Sequence, residues 1–203
     1  MVLRITYDVN VWVAHFLSLS KGRQGTAAQR MIRSAFAGHC RLGPVQPIIS
    51  HAMLDTMQAV LMRCGLTEAA AEAARNAVEG AAAGGIVPQP PYMVLGGGVQ
   101  PMIDTEDGGV LDTAVAGAAD MLITNALRDF APGPRSAIDA AIVRLNADGD
   151  ADVVLLRHGR LAHGLVIASL FAATAWLLDG ARQRAKRRAS VSQSSGSIMI
   201  VTG

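Results

Sequence analysis

Short strand-like runs alternate with longer helical patterns along this chain, and that alternation restricts its fold more than any other feature. Runs at residues 3–7, 45–50, 99–104 and 120–125 predict strands, and a helical pattern follows each of them. Parallel strands need a crossover of this kind, whereas antiparallel strands can be joined by a tight turn. The order therefore predicts βαβ units and a three-layer α/β/α sandwich with a central, mostly parallel sheet.

Capping residues mark where several of these helices begin and end. Thr26 and Gly38 bracket one helical pattern, and Ser50 precedes a second that stops at Gly65. A third helix, over residues 67–85, carries charged residues spaced three or four apart along one face. We therefore expect the elements between residues 3 and 85 to have sharp boundaries.

Residues 161–178 contain no formal charge and are followed by basic residues, as in a membrane-spanning helix. His163 and Gly164 interrupt this run, and Ser169 is a good helix N-cap in its middle. The β-branched residues before Ser169 favour a short strand. We therefore expect a strand followed by a helix, and no membrane segment.

The length of 203 residues suits one domain with a tail. We expect an α/β domain over residues 1–180 and a basic helix end with a Ser-rich tail over residues 181–203. Cys40 and Cys64 have no metal-ligand or redox-motif spacing. Reduced thiols in a cytoplasmic protein are the simplest interpretation.

The net charge of +2 is unevenly distributed. All 16 acidic residues precede position 182, and the seven residues 182–188 carry five of the 18 basic ones. Such a run is commonly the solvated end of a helix. It could also contact RNA phosphates or an acidic partner.

Acidic residues occur where predicted strands end. In a parallel sheet these ends lie along one edge, so carboxylates remote in sequence can converge there. Converging carboxylates repel one another unless a cation neutralises them, and Mg²⁺ or Mn²⁺ prefers such oxygen ligands. Each acid could alternatively cap a helix or close a turn, but several together favour a metal site. The acids in question are Asp8, Asp55, Asp104, Glu106, Asp107 and Asp129.

Four motifs in order carry a resemblance to a known family. They are "YDVNVWV", "ISHAMLDTMQAVL", "DTEDGGVLDTAVAGAADMLITN" and "TNALRDF", within about residues 3–130. Together they resemble the PIN-domain ribonucleases, and within these the VapC-type toxins of bacterial toxin–antitoxin pairs. The resemblance implies a PIN-like sandwich and a Mg²⁺- or Mn²⁺-dependent endoribonuclease that hydrolyses RNA phosphodiester bonds.

The same resemblance implies roles for particular residues. Asp8, Asp107 and Asp129 would be the metal-binding acids. Asn10 would orient the first carboxylate, and Thr124 would hydrogen-bond near the metal.

Two positions depart from the family pattern. The second acid of the family is usually Glu, and either Asp55 or Thr56 can be aligned with it. Asp55 is the catalytic candidate of this pair. Ala126 stands where an Asn is expected. Asp104 and Asp112 are possible substitutes for the missing polar group, although the spacing from Asp107 predicts that Asp112 faces another side of the helix.

The resemblance also implies partners. It predicts an RNA substrate, a homodimer and a cognate antitoxin protein, with the helical hairpin of residues 51–85 offering an apolar interface. The competing class is a PIN-like RNA- or protein-binding module whose metal site is weakened by the two departures.

Overall fold

The structure is a computed structural model that describes residues 2–84, 93–95, 105–127, 129–130, 140–141, 153–156 and 164–179. Its strands are β1 Leu3–Tyr7, β2 His39–Cys40, β3 Gly43–Ser50, β4 Met93–Val94, β5 Met121–Thr124, β6 Ala140–Ala141, β7 Val153–Leu156 and β8 Leu165–Ser169. Its α-helices are α1 Val9–Ser20, α2 Ala27–Ala37, α3 His51–Arg63, α4 Glu68–Ala83, α5 Thr105–Ala116 and α6 Leu170–Thr174, and a π-helical turn follows over Ala175–Asp179.

The strands form one sheet in the order β2-β3-β1-β5-β8-β7-β6, and β4 pairs with β3. Strands β3, β1, β5 and β8 run parallel to one another, and β7 is antiparallel to β8. Strand β1 is therefore central, with β3 and β5 as its neighbours. This arrangement confirms the predicted α/β sandwich with a mostly parallel sheet.

The core lies where helices cover the central strands. Ile5, Leu122 and Ile167 are fully buried in three adjacent strands, and Trp12 of α1 is almost fully buried as well. Burying a large apolar side chain contributes roughly 1.5–3 kcal/mol, so each of these positions stabilises the domain appreciably. The carboxyl ends of the same strands are thereby held on a rigid layer.

The expected caps are present. The Thr26 hydroxyl accepts a hydrogen bond from the Gln29 backbone N–H in a capping box, and Gly38 ends α2 in the left-handed conformation with φ of 64°. The Ser50 hydroxyl caps α3, and Gly65, with φ of 94°, follows its end. The predicted boundaries of these helices are confirmed.

The uncharged segment near residue 170 is divided between two elements, as predicted. Strand β8 ends at Ser169, whose hydroxyl accepts a hydrogen bond from the Ala172 backbone N–H at 3.1 Å. Within the described part of the chain, no helix is long and apolar enough to cross a membrane. The predicted basic helix end and tail, residues 181–203, lie outside the described residues.

Other elements differ from the prediction. The strand expected at residues 99–104 lies outside the described residues, while β4 pairs with β3 a few residues earlier. The two-residue strands β2 and β6 were not predicted, because so short a ladder leaves no periodic pattern in the sequence. Cys40 is buried and Cys64 exposed, and both are free thiols.

The buried His15 should make the free energy of unfolding fall as the pH is lowered. Its ring is buried between α1 and α2 near Phe16 and Phe36, and burial, with a smaller effect of Arg33, lowers its pKa to about 4. The unfolded chain, with a His pKa near 6.5, then binds more protons between these values. We expect the contribution of His15 to the free energy of unfolding to be complete above pH 6.5 and to fall by about 2 kcal/mol at pH 5.

Urea unfolding of wild type and His15→Leu from pH 7 to 5 measures this contribution. The variant should lose most of the pH-dependent difference, and His51→Gln, at an exposed position on α3, should retain it. Parallel stability curves for wild type and His15→Leu would contradict the assignment.

Candidate functional site

A row of polar residues crosses the carboxyl edge of the sheet. The row consists of Asp8, Ser50, Thr124 and Ser169. Thr124 pairs directly with Ser169, while Asp8 and Ser50 each lie two residues beyond the paired Thr6 and Ile48. Parallel sheets place ligands beyond this edge, so the row marks the candidate site.

Asp8 is held tightly at the centre of the row. Its side chain is buried, Oδ2 accepts a hydrogen bond from the Thr124 hydroxyl at 2.6 Å, and Oδ1 accepts one from the Asn10 backbone N–H at 3.2 Å. Its own backbone N–H donates to the Ile123 carbonyl at 2.9 Å. The carboxylate thus caps α1 and fixes the end of β1 against β5.

The environment of Asp8 disfavours the charged form of its carboxyl group. Burial raises its pKa, although the hydrogen bonds from Thr124 and Asn10 act in the opposite direction. Among the described residues, no Lys, Arg or His side chain forms an ion pair with it. A buried carboxylate without a cationic partner is costly, and a bound cation would remove that cost. In this respect Asp8 fits a metal ligand.

Thr124 connects Asp8 to the loop after β5. Its side chain is fully buried, and its hydroxyl accepts a hydrogen bond from the Ala126 backbone N–H at 2.9 Å while donating to Asp8. Ala126 therefore contributes through its backbone at the position where the family pattern has an Asn. The structure places Thr124 beside Asp8, and the role near a metal that the resemblance implies for Thr124 stays a prediction.

Asp55 has a different environment. Its side chain is 70% exposed and forms an ion pair with Arg75 of α4 at 3.2 Å, and Arg75 also pairs with Glu79 at 3.4 Å. Thr56, the alternative at this position, is half-buried and lies about 100° further round the helix. The structure therefore places Asp55 in a surface ion-pair network with α4.

Two of the remaining predicted acids, Asp107 and Asp129, lie within the described residues. Asp107 is half-buried in the first turn of α5, and Asp129 is exposed after β5. Asp104 lies outside the described residues. Among the residues that the structure does describe, no group of three or more His, Cys, Asp or Glu side chains could hold a metal ion. The structure thus brings together Asp8, Asn10 and Thr124.

Sequence reasoning missed a buried hydroxyl pair beside this site. Ser50, which was predicted only as a helix cap, has its hydroxyl 3.0 Å from that of Thr113. Thr113 is fully buried and also donates to the Gly109 carbonyl at 2.8 Å. The pair ties α5, which carries Asp107, to the end of β3. The only sequence signal for this contact was Thr113 itself, a polar residue on the apolar face of α5.

The chain was compared with known families, curated proteins and solved structures. A family model described as PIN domain matches residues 4–128, which is more than half of the chain. The searches of curated proteins and of solved structures each found no match. The matched range begins within β1 and contains β3, β5, Asp8 and Thr124, whereas β8 and Asp129 lie beyond it. The chain belongs to the PIN domain family.

Proposed function

We propose that the protein is a metal-dependent endoribonuclease that hydrolyses RNA phosphodiester bonds at the carboxyl edge of its sheet. PIN domains are typically nucleases that use divalent metal ions. The observation that carries the proposal is Asp8, a buried carboxylate with a raised pKa at the end of the central strand. Retaining such a group against its desolvation cost favours a functional role for it.

The proposed ligand set is centred on Asp8. Asp107 and Asp129 would complete it from α5 and from the turn after β5, and Asp104 is a further candidate. A bound Mg²⁺ or Mn²⁺ would supply a Lewis acid and an acidified water for hydrolysis. Thr124 and the Asn10 backbone N–H hold the Asp8 oxygens, so the carboxylate needs little reorganisation to bind a cation.

Asp55 can take part in catalysis only if its ion pair with Arg75 opens. Its carboxylate would have to leave Arg75 to join the catalytic acids. An exposed ion pair of this kind is worth at most about 1 kcal/mol, so a bound cation could recruit Asp55 at small cost.

The biological setting that we propose is a toxin–antitoxin pair. The four motifs that resemble VapC-type toxins support a cytoplasmic homodimer neutralised by a cognate antitoxin protein. The hairpin of α3 and α4 would offer the apolar interface, and it exposes Met62 at 42%.

A second candidate is a PIN-like binding module without catalysis. Two observations favour it. Asp55 forms an ion pair with Arg75, and the described residues contain no group of three carboxylates that could hold a metal ion. Such a module would still bind RNA or protein but would cleave nothing.

Metal removal separates the two candidates. We expect cleavage of a labelled RNA in Mg²⁺ or Mn²⁺ to stop in EDTA and to return when the metal is restored in excess. We also expect Mn²⁺ to raise the melting temperature of the protein by a few degrees, because the cation binds the folded state. Cleavage that persists in EDTA would exclude the metal mechanism. A folded protein that binds RNA but shows neither cleavage nor a melting shift with Mn²⁺ would favour the binding module.

A further inference from the structure

Charge is strongly segregated in the first quarter of the chain. Residues 9–54 contain no Asp or Glu, whereas residues 55–84 contain four acids and two arginines. The basic residues of the first segment are Lys21, Arg23, Arg30, Arg33 and Arg41. We refer to these five residues as the basic face.

The residues of the basic face lie on α2 or near one of its two ends. Lys21 and Arg23 lie in the connection before α2, Arg30 and Arg33 lie one turn apart on it, and Arg41 follows β2. All are exposed except Arg30, which is half-buried and pairs with Asp179. In the part of the chain that the structure describes, no carboxylate pairs with the other four. These charges are therefore available to a polyanion.

An exposed aromatic ring lies on the same helix as Arg33. Phe36, one turn after Arg33, is 41% exposed, and its ring lies 6.0 Å from that of Trp12 in an edge-to-face contact. Phe36 also forms one wall of a cavity of about 260 Å³ whose other walls include Gly38, Gly80 and Gly84. A fixed ring beside a cavity walled by small residues leaves room for a flat group to stack on it. Cations interleaved with such a ring are typical of single-stranded nucleic-acid binding.

This surface is separate from the site around Asp8. Gly38 accepts a hydrogen bond from the Val45 backbone N–H near the start of β3, while Ser50 lies at its other end. Five residues of extended strand separate these levels by roughly 17 Å. An RNA strand of several nucleotides would be needed to contact both.

We propose that the basic face and Phe36 form a binding surface for single-stranded RNA outside the cleavage site. Phosphates would contact Lys21, Arg23 and Arg33, and one base would stack on Phe36. The choice of RNA rests on the proposed function, and the aromatic ring beside the cavity favours RNA over an acidic protein. Such a surface would hold the substrate strand and raise its local concentration at the catalytic edge.

Equilibrium binding in EDTA tests this surface without any cleavage. The probe is a fluorescently labelled oligouridylate of about twenty nucleotides, followed by anisotropy over a range of salt concentrations. The combined Lys21→Gln, Arg23→Gln and Arg33→Gln variant should bind about 100-fold more weakly at 0.1 M salt. Its log–log salt slope should be smaller by about 2, since each phosphate contact on a single strand contributes about 0.7.

A matched pair of single variants controls for net charge. Arg33→Gln should weaken binding about fivefold. Arg63→Gln removes the same charge from an exposed position at the end of α3 and should leave the affinity and salt slope unchanged. Equal losses in the two variants, or a triple variant with an unchanged slope, would overturn the proposal.

Substitutions of Phe36 that leave the charge unchanged test whether its aromatic ring contributes to RNA binding. Phe36→Leu keeps an apolar contact with Trp12 but removes the ring, and it should weaken binding about tenfold with no change in salt slope. Phe36→Tyr should bind as wild type does, and melting temperatures confirm that each variant is folded. An unchanged affinity in Phe36→Leu, together with equal competition by polyglutamate, would assign the surface to an acidic protein and overturn the RNA assignment. If wild type binds RNA as expected but does not cleave it in Mg²⁺ or Mn²⁺, only the nuclease proposal is refuted.

Discussion

Replacing Asp8 with Asn is expected to reduce the rate of RNA cleavage by a factor on the order of 10²–10³ or more. The substitution removes the negative charge from Asp8, which is the one buried carboxylate among the described residues. The Asn side-chain oxygen can still accept the capping hydrogen bond from the Asn10 backbone N–H, because Asn and Asp are similar N-caps, and its NH₂ group can donate to the Thr124 hydroxyl. The loss should therefore be catalytic and should not reflect unfolding.

The metal-free stability of Asp8→Asn provides a readout that is independent of activity. Burial raises the pKa of Asp8, so its stability contribution is present at low pH and is lost as pH rises through that raised pKa. At pH 8 without metal we expect the variant to be at least as stable as wild type. Excess Mn²⁺ should reverse the order, because it stabilises only the protein that retains the carboxylate.

Thermal melting at pH 5 and pH 8, with and without Mn²⁺, measures both effects. Ser169→Ala is the matched control on the same row, since it loses the cap of α6 at a cost of about 1 kcal/mol but should retain cleavage. An Asp8→Asn protein that Mn²⁺ stabilises as much as wild type, or that still cleaves RNA at the wild-type rate, would contradict the role assigned to Asp8.

The part of the fold that sequence could predict is the part with local signals. Strand β1 and the boundaries of α2 and α3 follow from hydrophobic periodicity and from caps at Thr26 and Ser50, all read within a few residues. The proximity of Asp8 and Thr124, 116 positions apart, was also predictable, because strand–helix alternation implies a parallel sheet whose ends coincide.

The rest of the site depends on tertiary contacts without a local signal. Asp55 has its Arg75 partner twenty positions away on another helix, and sequence spacing alone could not show which way that carboxylate faces. The contact between Ser50 and Thr113 spans 63 positions and joins residues that look like an ordinary cap and a helix residue of weak propensity. How α3, α4 and α5 pack together decides both arrangements.

Gly117, the residue after α5, packs closely against β3, and Gly117→Ala is expected to be strongly destabilising. A Cβ at this position would lie 2.1 Å from Cγ2 of Ile48, a side chain buried in β3. The Gly117 carbonyl also accepts hydrogen bonds from Nε and Nη2 of Arg4 at 3.0 and 2.7 Å, so the backbone cannot shift freely. We expect a loss of about 3 kcal/mol, or a melting temperature lower by roughly 10 °C.

Gly109, which lies within α5, supplies a control of opposite sign. No heavy atom lies within 4 Å of a Cβ built there, so Gly109→Ala should stabilise α5 by about 0.5–1 kcal/mol through its higher helix propensity. Urea unfolding of both variants, and of Gly117→Ala combined with Ile48→Ala, tests the steric cause. The double variant should lose less stability than the sum of the two single variants, because removing Cγ2 makes room for the new methyl group. Additive losses would show that contact with Ile48 is not the reason for glycine at position 117.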